Sequence, residues 1–238
     1  QLTKWEKIRN ICIELGPTFV KFGQILSNHP DLLPPELIKE LEKLQDSVPP
    51  VSDEEALKVV EQELKKTVAE LFQDFEPKAL ASASMAQVHK ASLKTGEKVV
   101  LKIQRPGIQQ VIESDIKVMY YLADLFSKRI PSLKNFDPVG LVRNFEESIM
   151  KELDFVHESV NIQRFNNNFV KDPTNKGYIK APLVYRKFTT SRVLTLEFID
   201  GIKISHISKL EDAGLNRKLI ARRLASSYFK QIFNYGFF

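Results

Sequence analysis

The sequence predicts an α+β protein in which one antiparallel hairpin is surrounded by amphipathic helices. Two segments of β-type residues, Ala86–Leu93 and Lys98–Gln104, flank a four-residue turn that contains Gly96. Apolar residues at helical spacing occur both before and after this hairpin. The predicted order is helices, hairpin, two long helices, two strands and a final helix.

The segment before the hairpin is predicted to be mainly helical. Residues 3–28 form two helices that meet at Gly16-Pro17, because proline suits the first turn of a new helix. The motif that begins at Ser52 has the form of a capping box and opens a helix that runs to about Leu64. The charged stretch from there to Asp74 is predicted to be a loop or a short helix. A further helix between these has an apolar stripe formed by Leu37, Leu41 and Leu44, and the pair Pro49-Pro50 is expected to end it.

Two long helices are predicted after the hairpin, over residues 108–128 and 138–169. Residues 182–185 and 192–199 are rich in β-branched and aromatic side chains and are predicted strands. Most of the segment 211–234 is predicted to be helix. The apolar stripe of the second long helix is Val142, Phe145, Ile149, Leu153, Val156 and Val160.

Composition restricts the function only loosely. The 238 residues are 43% hydrophobic, which suffices for a sizeable core, and the net charge of +5 permits nucleotide, lipid or nucleic acid as a partner without requiring any. The single cysteine, Cys12, forms no internal disulfide and favours a reducing compartment. No apolar run approaches the ~20 residues of a transmembrane helix. The aromatic run at 232–238 is expected to pack inside a fold, so we expect the chain to be cut within a domain.

Lys102 is the residue that most strongly suggests a binding site. Strand alternation places it on the face opposite Leu101 and Ile103, in a strand expected to be largely covered. Since a lone buried charge is costly, Lys102 should meet a carboxylate or a bound anion. The small residues ahead of the hairpin complete a possible phosphate cradle, and they are Ala81, Ser82, Ala83 and Ser84. The alternatives are a lysine that reaches solvent and an ordinary turn of small residues.

Several motifs occur in the order found in one known family. They are Lys21-Phe22-Gly23-Gln24, the small-residue run with Ala86-Gln87-Val88-His89, the segment 100–107 around Lys102, Glu152-Leu153-Asp154, and the strand and hinge at 193–201. Together they resemble the UbiB/AarF (ADCK-type) family of atypical kinase-like proteins, although each motif is weak alone. The resemblance implies a protein-kinase-like N-lobe over residues 76–200 with inserted long helices. It further implies a helical N-terminal extension over 1–75 and the start of a helical C-lobe over 201–238.

The resemblance also implies a nucleotide site that takes ATP or ADP with Mg²⁺. In it Lys102 would hold the α- and β-phosphates and pair with Glu158, while the backbone N–H groups of the small-residue loop face the phosphates. The backbone of Glu197 and Ile199 would contact adenine. Helical geometry leaves a second possibility open, because without a kink in the helix Glu152 would be the partner of Lys102.

A second set of residues is expected to occlude the site rather than to bind nucleotide. By resemblance, the helix that carries Lys21, Gly23 and Gln24 lies across the active site, and Lys21 contacts Glu152 or Asp154. Such an arrangement would disfavour phosphorylation of proteins in trans. The simpler alternative is a polar strip with a helix-packing glycine.

The sequence departs from the family pattern in two places. Ser82 stands where the family usually has the middle of three alanines, and by resemblance this change is expected to shift the nucleotide preference. The H-x-D-x-H-P-G-N loop and the D-F-G motif do not occur in this sequence. We therefore expect no catalytic or metal-binding residue within the chain, and no activity from the chain alone.

The resulting hypothesis is the ATP/ADP-binding part of a UbiB-type kinase or ATPase implicated in isoprenoid-quinone (ubiquinone-type) biosynthesis. Expected partners are nucleotide, quinone-pathway lipid or a membrane surface, and quinone-biosynthesis proteins. The expected location is the cytoplasm or the periphery of a bacterial inner membrane or an organelle membrane. The alternative is a non-catalytic pseudokinase scaffold that binds lipid or protein. A nucleic-acid-binding domain ranks last, because the basic residues are dispersed and no recognition motif is present.

His89 is predicted to be a strand residue with a local partner rather than a catalytic base.

Overall fold

A computed structural model describes residues 2–46, 51–129 and 137–237. It confirms the predicted α+β class, with an antiparallel sheet and helices on both of its faces. The helices are α1 (Lys4–Leu15), α2 (Pro17–Leu26), α3 (Pro35–Glu42), α4 (Asp53–Leu64), α5 (Val68–Leu71), α6 (Ile108–Arg129), α7 (Pro138–Glu152), α8 (Phe155–Val170), α9 (Ile207–Asp212) and α10 (Arg217–Phe229). The strands are β1 (Phe72–Phe75), β2 (Ala81–Ser82), β3 (Ala86–Leu93), β4 (Lys98–Gln104) and β5 (Val193–Glu197).

The predicted hairpin forms the centre of the sheet with the predicted boundaries. The sheet order is β1-β3-β4-β5, every pairing is antiparallel, and β2 also pairs with β3. Gly96 occupies the connecting turn with a φ of +97°, a backbone conformation that glycine adopts without a steric cost. The hairpin is therefore confirmed, because both its strands and its turn are determined by local sequence.

The two faces of β4 have different neighbours, as the alternation of its residues predicts. Val99, Leu101 and Ile103 are each 0% exposed and pack with α4, where Val59 and Val60 are buried as well. The opposite face, which carries Lys102, lies towards α8. Because α4 covers one face of β4 completely, a polar side chain of this strand can remain accessible only on the face towards α8.

The N-terminal helices begin and end where the sequence predicts. Gly16, at a φ of +100°, separates α1 from α2, and the capping box of Ser52 and Glu55 opens α4. Leu37, Leu41 and Leu44 are all buried together with Val20 of α2. This small apolar cluster fixes α2 against α3. The Pro49-Pro50 pair that was expected to end the preceding helix lies outside the described residues.

The prediction of a loop or short helix up to Asp74 is wrong in part. A single helical turn, α5, is followed by the edge strand β1, which pairs with β3 between Phe72 and Phe75. Phe72 is buried whereas Gln73 and Asp74 are exposed. Burial of the aromatic side chains on the sheet outweighs the charged composition of the surrounding segment.

The single helix predicted over 138–169 is also wrong, because the chain forms two helices there. Helix α7 ends at Glu152 and α8 begins at Phe155. Asp154 ends the continuity, since its side chain accepts the N–H groups of Val156 and His157 as the N-cap of α8. The expected apolar stripe stops there, so Val156 and Val160 are 47% and 48% exposed.

Three predictions near the C-terminus need correction. Residues 182–185 make only an isolated bridge between Val184 and Leu196, and β5 is shorter than the predicted strand over 192–199. Most of the segment 211–234 is helical, as predicted: it contains the end of α9, the whole of α10 and a π-helical turn at Lys230–Tyr235, with Gly214 at a φ of +67° between α9 and α10. Phe233 of the aromatic run is 76% exposed and does not pack inside the fold.

None of the helices in the described ranges has both the length and the apolar character needed to cross a bilayer.

Candidate functional site

Lys102 lies at the centre of the sheet and is held by two contacts. Its neighbours in the adjacent strands are Val88 and Leu194. Its Nζ is 2.7 Å from Glu158 Oε2 and lies 4.7 Å from the centroid of the Phe155 ring. Of the two glutamates that the sequence left open, Glu158 is the one that contacts Lys102. The side chains of Lys102 and Glu158 are 28% and 33% exposed, so the pair is accessible to an added ligand.

Glu152 contacts a different lysine. Lys21 Nζ of α2 is 2.8 Å from Glu152 Oε1 and 2.6 Å from Oε2. Asp154, the other expected partner of Lys21, is used as the N-cap of α8. The break between α7 and α8 thus turns the two glutamates towards two different lysines.

Gln104, two residues after Lys102, supports that break from the sheet. Its side-chain amide, in a residue that is 3% exposed, donates to the Leu153 carbonyl at the end of α7 and, at 3.1 Å, to the Ser191 carbonyl. The Phe155 amide donates to the same Ser191 carbonyl at 3.1 Å. A buried side chain of β4 therefore fixes the junction that determines where Glu158 points. Sequence reasoning did not single out this residue.

The small-residue run is partly strand and partly loop. Ala81 and Ser82 form β2, and the Ala83 amide donates to the Ala86 carbonyl at 2.8 Å, so this N–H group is already used in this conformation. Arg105 donates to the Ala83 carbonyl at 3.1 Å and to Ser82 Oγ at 2.9 Å. Burial lowers the pKa of the Arg105 guanidinium. The serine that departs from the family pattern thus gives Arg105 a contact that an alanine side chain would lack.

A cavity of about 330 Å³ separates the small-residue loop from α2 and α7. Lys21 and Gln24 line it from α2, Ala83 and Ser84 from the loop, and Glu152 from α7. The expected occluding helix and the expected phosphate-binding loop therefore face each other.

Gly23 and Gln24 mainly hold α2 against its helical neighbours. A Cβ at Gly23 would lie 2.5 Å from the Leu44 side chain, so only glycine permits this close packing. Gln24 Nε2 donates to the Leu44 carbonyl at 3.0 Å. These contacts correspond to the simpler interpretation of the motif, the helix-packing glycine. They coexist with the ion pair of Lys21 on the neighbouring face.

Further contacts fix α2 on the long helices. The buried Thr18 hydroxyl donates to Asp115 of α6, and the rings of Phe22 and Phe145 meet edge to face with centroids 5.1 Å apart. Helix α2 is consequently held by packing and hydrogen bonds as well as by the pair of Lys21 with Glu152.

Glu197, expected to contact adenine through its backbone, links β5 to the preceding segment. Its amide donates to the Leu183 carbonyl at 2.8 Å, and its carboxylate accepts from Lys180 at 3.0 Å and from the Leu183 amide at 3.1 Å. The hydrogen bond from Lys180, followed by that from Leu183, lowers the pKa of Glu197. Ile199, two residues further, is 47% exposed.

His89 has local partners, as predicted, and is not placed for catalysis. The ring is fully buried, with Nδ1 3.1 Å from the Glu76 carbonyl and Nε2 2.8 Å from Gln87 Nε2. The arrangement assigns a neutral ring that donates through Nδ1 and accepts at Nε2. Gln87 Oε1 in turn accepts the Val51 amide at 3.1 Å. Over the described ranges, no group of three or more His, Cys, Asp or Glu side chains could hold a metal ion.

Comparison with known proteins places the chain in a family. Residues 43–238 match the ABC1 atypical kinase-like domain. The chain belongs to the ABC1 family of atypical kinase-like domains. This confirms the resemblance on which the kinase-like interpretation of the sequence rests.

Named relatives match almost the whole chain. It is 41% identical over 238 residues to the probable protein kinase UbiB of Marinobacter nauticus, covering 100% of this chain and 43% of that protein. It is 38% identical over 231 residues to the chloroplastic protein Activity of bc1 complex kinase 7 of Arabidopsis thaliana, covering 97% and 32% respectively. The chain thus spans less than half the length of these relatives.

A solved structure shares the fold. The complex of Rv3197 with erythromycin from Mycobacterium tuberculosis aligns with a TM-score of 0.55 at 27% identity, over 79% of this chain and 46% of that one. Together with the family match, this supports the predicted kinase-like N-lobe.

Proposed function

We propose that this chain is the nucleotide-binding part of a UbiB-type atypical kinase or ATPase that acts in isoprenoid-quinone biosynthesis. The observation that carries the proposal is the ion pair between Lys102 Nζ and Glu158 Oε2 at 2.7 Å, on the sheet face that α4 does not cover. A strand lysine held by a helix glutamate is the arrangement that protein kinases use to position the phosphates of ATP.

The residues around the pair suit a nucleotide. Lys102 presents a positive charge whose orientation is set by Glu158 and by the Phe155 ring. Val100 and Leu196 are paired across β4 and β5, two residues from the pair of Lys102 with Leu194 and on the same face of the sheet. They offer an apolar surface for the base between Lys102 and the segment of Glu197 and Ile199. The phosphates would then lie towards Lys102 and the small-residue loop.

Magnesium would be held by the bound nucleotide rather than by side chains of this chain. The described ranges contain no cluster of metal-binding side chains, and Mg²⁺ in such sites is bound largely by phosphate oxygens and water. When bound, the ion would neutralise phosphate charge. The residues of this chain would bind and orient the nucleotide, and in the absence of a catalytic loop they would transfer no phosphoryl group.

Helix α2 favours a small-molecule or lipid substrate over a protein. The pair of Lys21 with Glu152, the hydrogen bond of Thr18 with Asp115 and the packing of Phe22 on Phe145 hold α2 beside the small-residue loop. A peptide substrate that approached the small-residue loop from the side of α2 would have to displace this helix. The proposal extends to a quinone-pathway lipid and quinone-biosynthesis proteins as partners, at the periphery of a membrane.

Replacing Lys102 with alanine is expected to abolish Mg-nucleotide binding, because the phosphates lose their cation and Glu158 is left as an unpaired negative charge. Isothermal titration of Mg-ATP and Mg-ADP into the chain and into the Lys102→Ala variant measures this. Lys94→Ala, in the exposed hairpin turn, removes the same charge as a control and should bind like wild type. Equal affinity in all three proteins contradicts the proposal.

A second candidate function is a non-catalytic pseudokinase scaffold. It is favoured by an apolar groove of about 790 Å³ between α9 and α10, where Ile207, Leu215 and Leu224 are exposed. The same titration separates the two functions, since a scaffold requires no nucleotide affinity from wild type.

A further inference from the structure

A basic pocket lies between helix α10 and the loop that follows α8. Its volume is about 450 Å³. Phe169, Ile179 and Leu219 form its apolar floor, and Phe169 is only 2% exposed. The polar part of the lining comes chiefly from Thr174, Tyr178, Arg222, Arg223, Ser226 and Lys230. The pocket therefore combines an apolar floor with a cationic rim.

The positive charge of this pocket is only partly compensated. No acidic side chain is among the described residues that line it. The charge of Lys230 is compensated by Asp172, which pairs with it and lies just outside the pocket lining. The hydrogen bonds from Lys230 and then Thr174 hold the pKa of Asp172 well below its usual value. One of the three cations is thus neutralised, which leaves the two arginines.

The two arginines are arranged to donate hydrogen bonds to a ligand. The Arg223 guanidinium carbon lies 3.5 Å from the centroid of the Tyr178 ring, so the ring covers the face of the group and fixes its orientation. The N–H groups in the plane of a stacked guanidinium remain able to donate. Arg222, the next residue, is exposed, and none of the hydrogen bonds or ion pairs found in the described ranges involves it.

We propose that this pocket binds an amphiphilic phosphate, a phosphate monoester whose head meets Arg222 and Arg223 and whose short apolar chain lies on Phe169, Ile179 and Leu219. Guanidinium groups match phosphate oxygens with paired hydrogen bonds. The apolar floor explains why the ligand is an ester with a chain rather than the free ion, and a pocket of this size is of the order that encloses small ligands.

The pocket is separate from the candidate nucleotide site. Glu158 and Phe169 both belong to α8 but are eleven residues apart, which is about 16 Å along a helix. The proposal consequently does not depend on the binding of nucleotide at Lys102, and the two can fail independently.

Titration calorimetry with hexyl phosphate tests the proposal on the whole chain. We expect saturable binding of hexyl phosphate to wild type. Arg222→Gln should lower this affinity by about tenfold or more, because a charge-assisted hydrogen-bonding group is removed. Inorganic phosphate should bind wild type at least severalfold more weakly than hexyl phosphate does. Lys58→Gln, the matched control, removes an exposed charge from α4, which packs on the opposite face of the sheet from α8 and contributes no residue to the pocket. It should leave the affinity within about twofold, since a distant exposed charge contributes little.

Three results would overturn the proposal. They are the absence of hexyl phosphate binding to wild type, equal losses in Arg222→Gln and Lys58→Gln, and equal affinities for hexyl phosphate and inorganic phosphate. Because Arg222 is exposed and makes no contact that folding requires, Arg222→Gln should unfold at the wild-type temperature, and a melting curve verifies this. Lys102→Ala should bind hexyl phosphate like wild type even if it loses nucleotide.

Discussion

Replacing Phe155 with alanine is expected to lower the free energy of unfolding by about 3–5 kcal/mol, the range typical of a buried phenylalanine. Phe155 is 2% exposed and packs with Ala86 and Leu194 at the junction of α8 with the sheet. The cavity would open directly beneath Lys102, whose Nζ now lies 4.7 Å from the ring centroid. Urea unfolding followed by circular dichroism measures the change.

Phe229→Ala provides the control for this prediction. Phe229 is 59% exposed, so its truncation should change the free energy of unfolding by no more than about 0.5 kcal/mol. A cost below about 1 kcal/mol for Phe155→Ala would show that α8 does not rest on the sheet as described.

Replacing Gln104 with leucine is the second change with a large expected effect, a loss of about 1–3 kcal/mol in the free energy of unfolding. Leucine has a similar size but removes the donor that the buried Leu153 carbonyl uses, whereas the Ser191 carbonyl keeps the amide of Phe155. An unpaired buried carbonyl at the end of α7 is costly because neither protein nor water compensates it.

The same unfolding measurement on Gln110→Leu controls for the loss of an amide. Gln110 is exposed on α6, so this variant should remain within about 0.5 kcal/mol of wild type. Equal costs for both variants would mean that Gln104 does not support the junction of α7 and α8.

The parts of the fold that local sequence determines were predictable. The alternation of Val99, Leu101 and Ile103 predicts one covered face, and the turn glycine predicts the hairpin, since each depends on neighbouring residues only. The capping box at Ser52 is local in the same way.

The partner of Lys102 was not predictable from helical periodicity. A continuous helix would have placed Glu152 beside the sheet, and the outcome changes because Asp154 caps a new helix. Asp154 was a usable signal, since aspartate before an apolar residue is a common N-cap. It was outweighed by an apolar pattern that continues through Val156 and Val160.

Contacts between segments that are distant in sequence could not be predicted from local residue patterns. Arg105 meets Ser82 and Gln104 meets Leu153 only after the chain has folded. The edge strand β1 was missed for the same reason, because its exposed polar residues resemble a loop until β3 lies beside it. By contrast, the family resemblance anticipated that Lys21 would contact Glu152 or Asp154.

Lys102 and Glu158 form the proposed nucleotide site, separately from the pair of Lys21 with Glu152. Titration of Mg-ATP into Glu158→Gln and Glu152→Gln tests it most directly, because the two substitutions are chemically identical. We predict that Glu158→Gln weakens binding by about tenfold or more, since a charged partner of Lys102 is lost. Glu152→Gln should stay within about twofold of wild type, as expected for a group that does not touch the ligand. Weaker binding by Glu152→Gln than by Glu158→Gln would contradict the assignment of Glu158 as the partner of Lys102 in the nucleotide site.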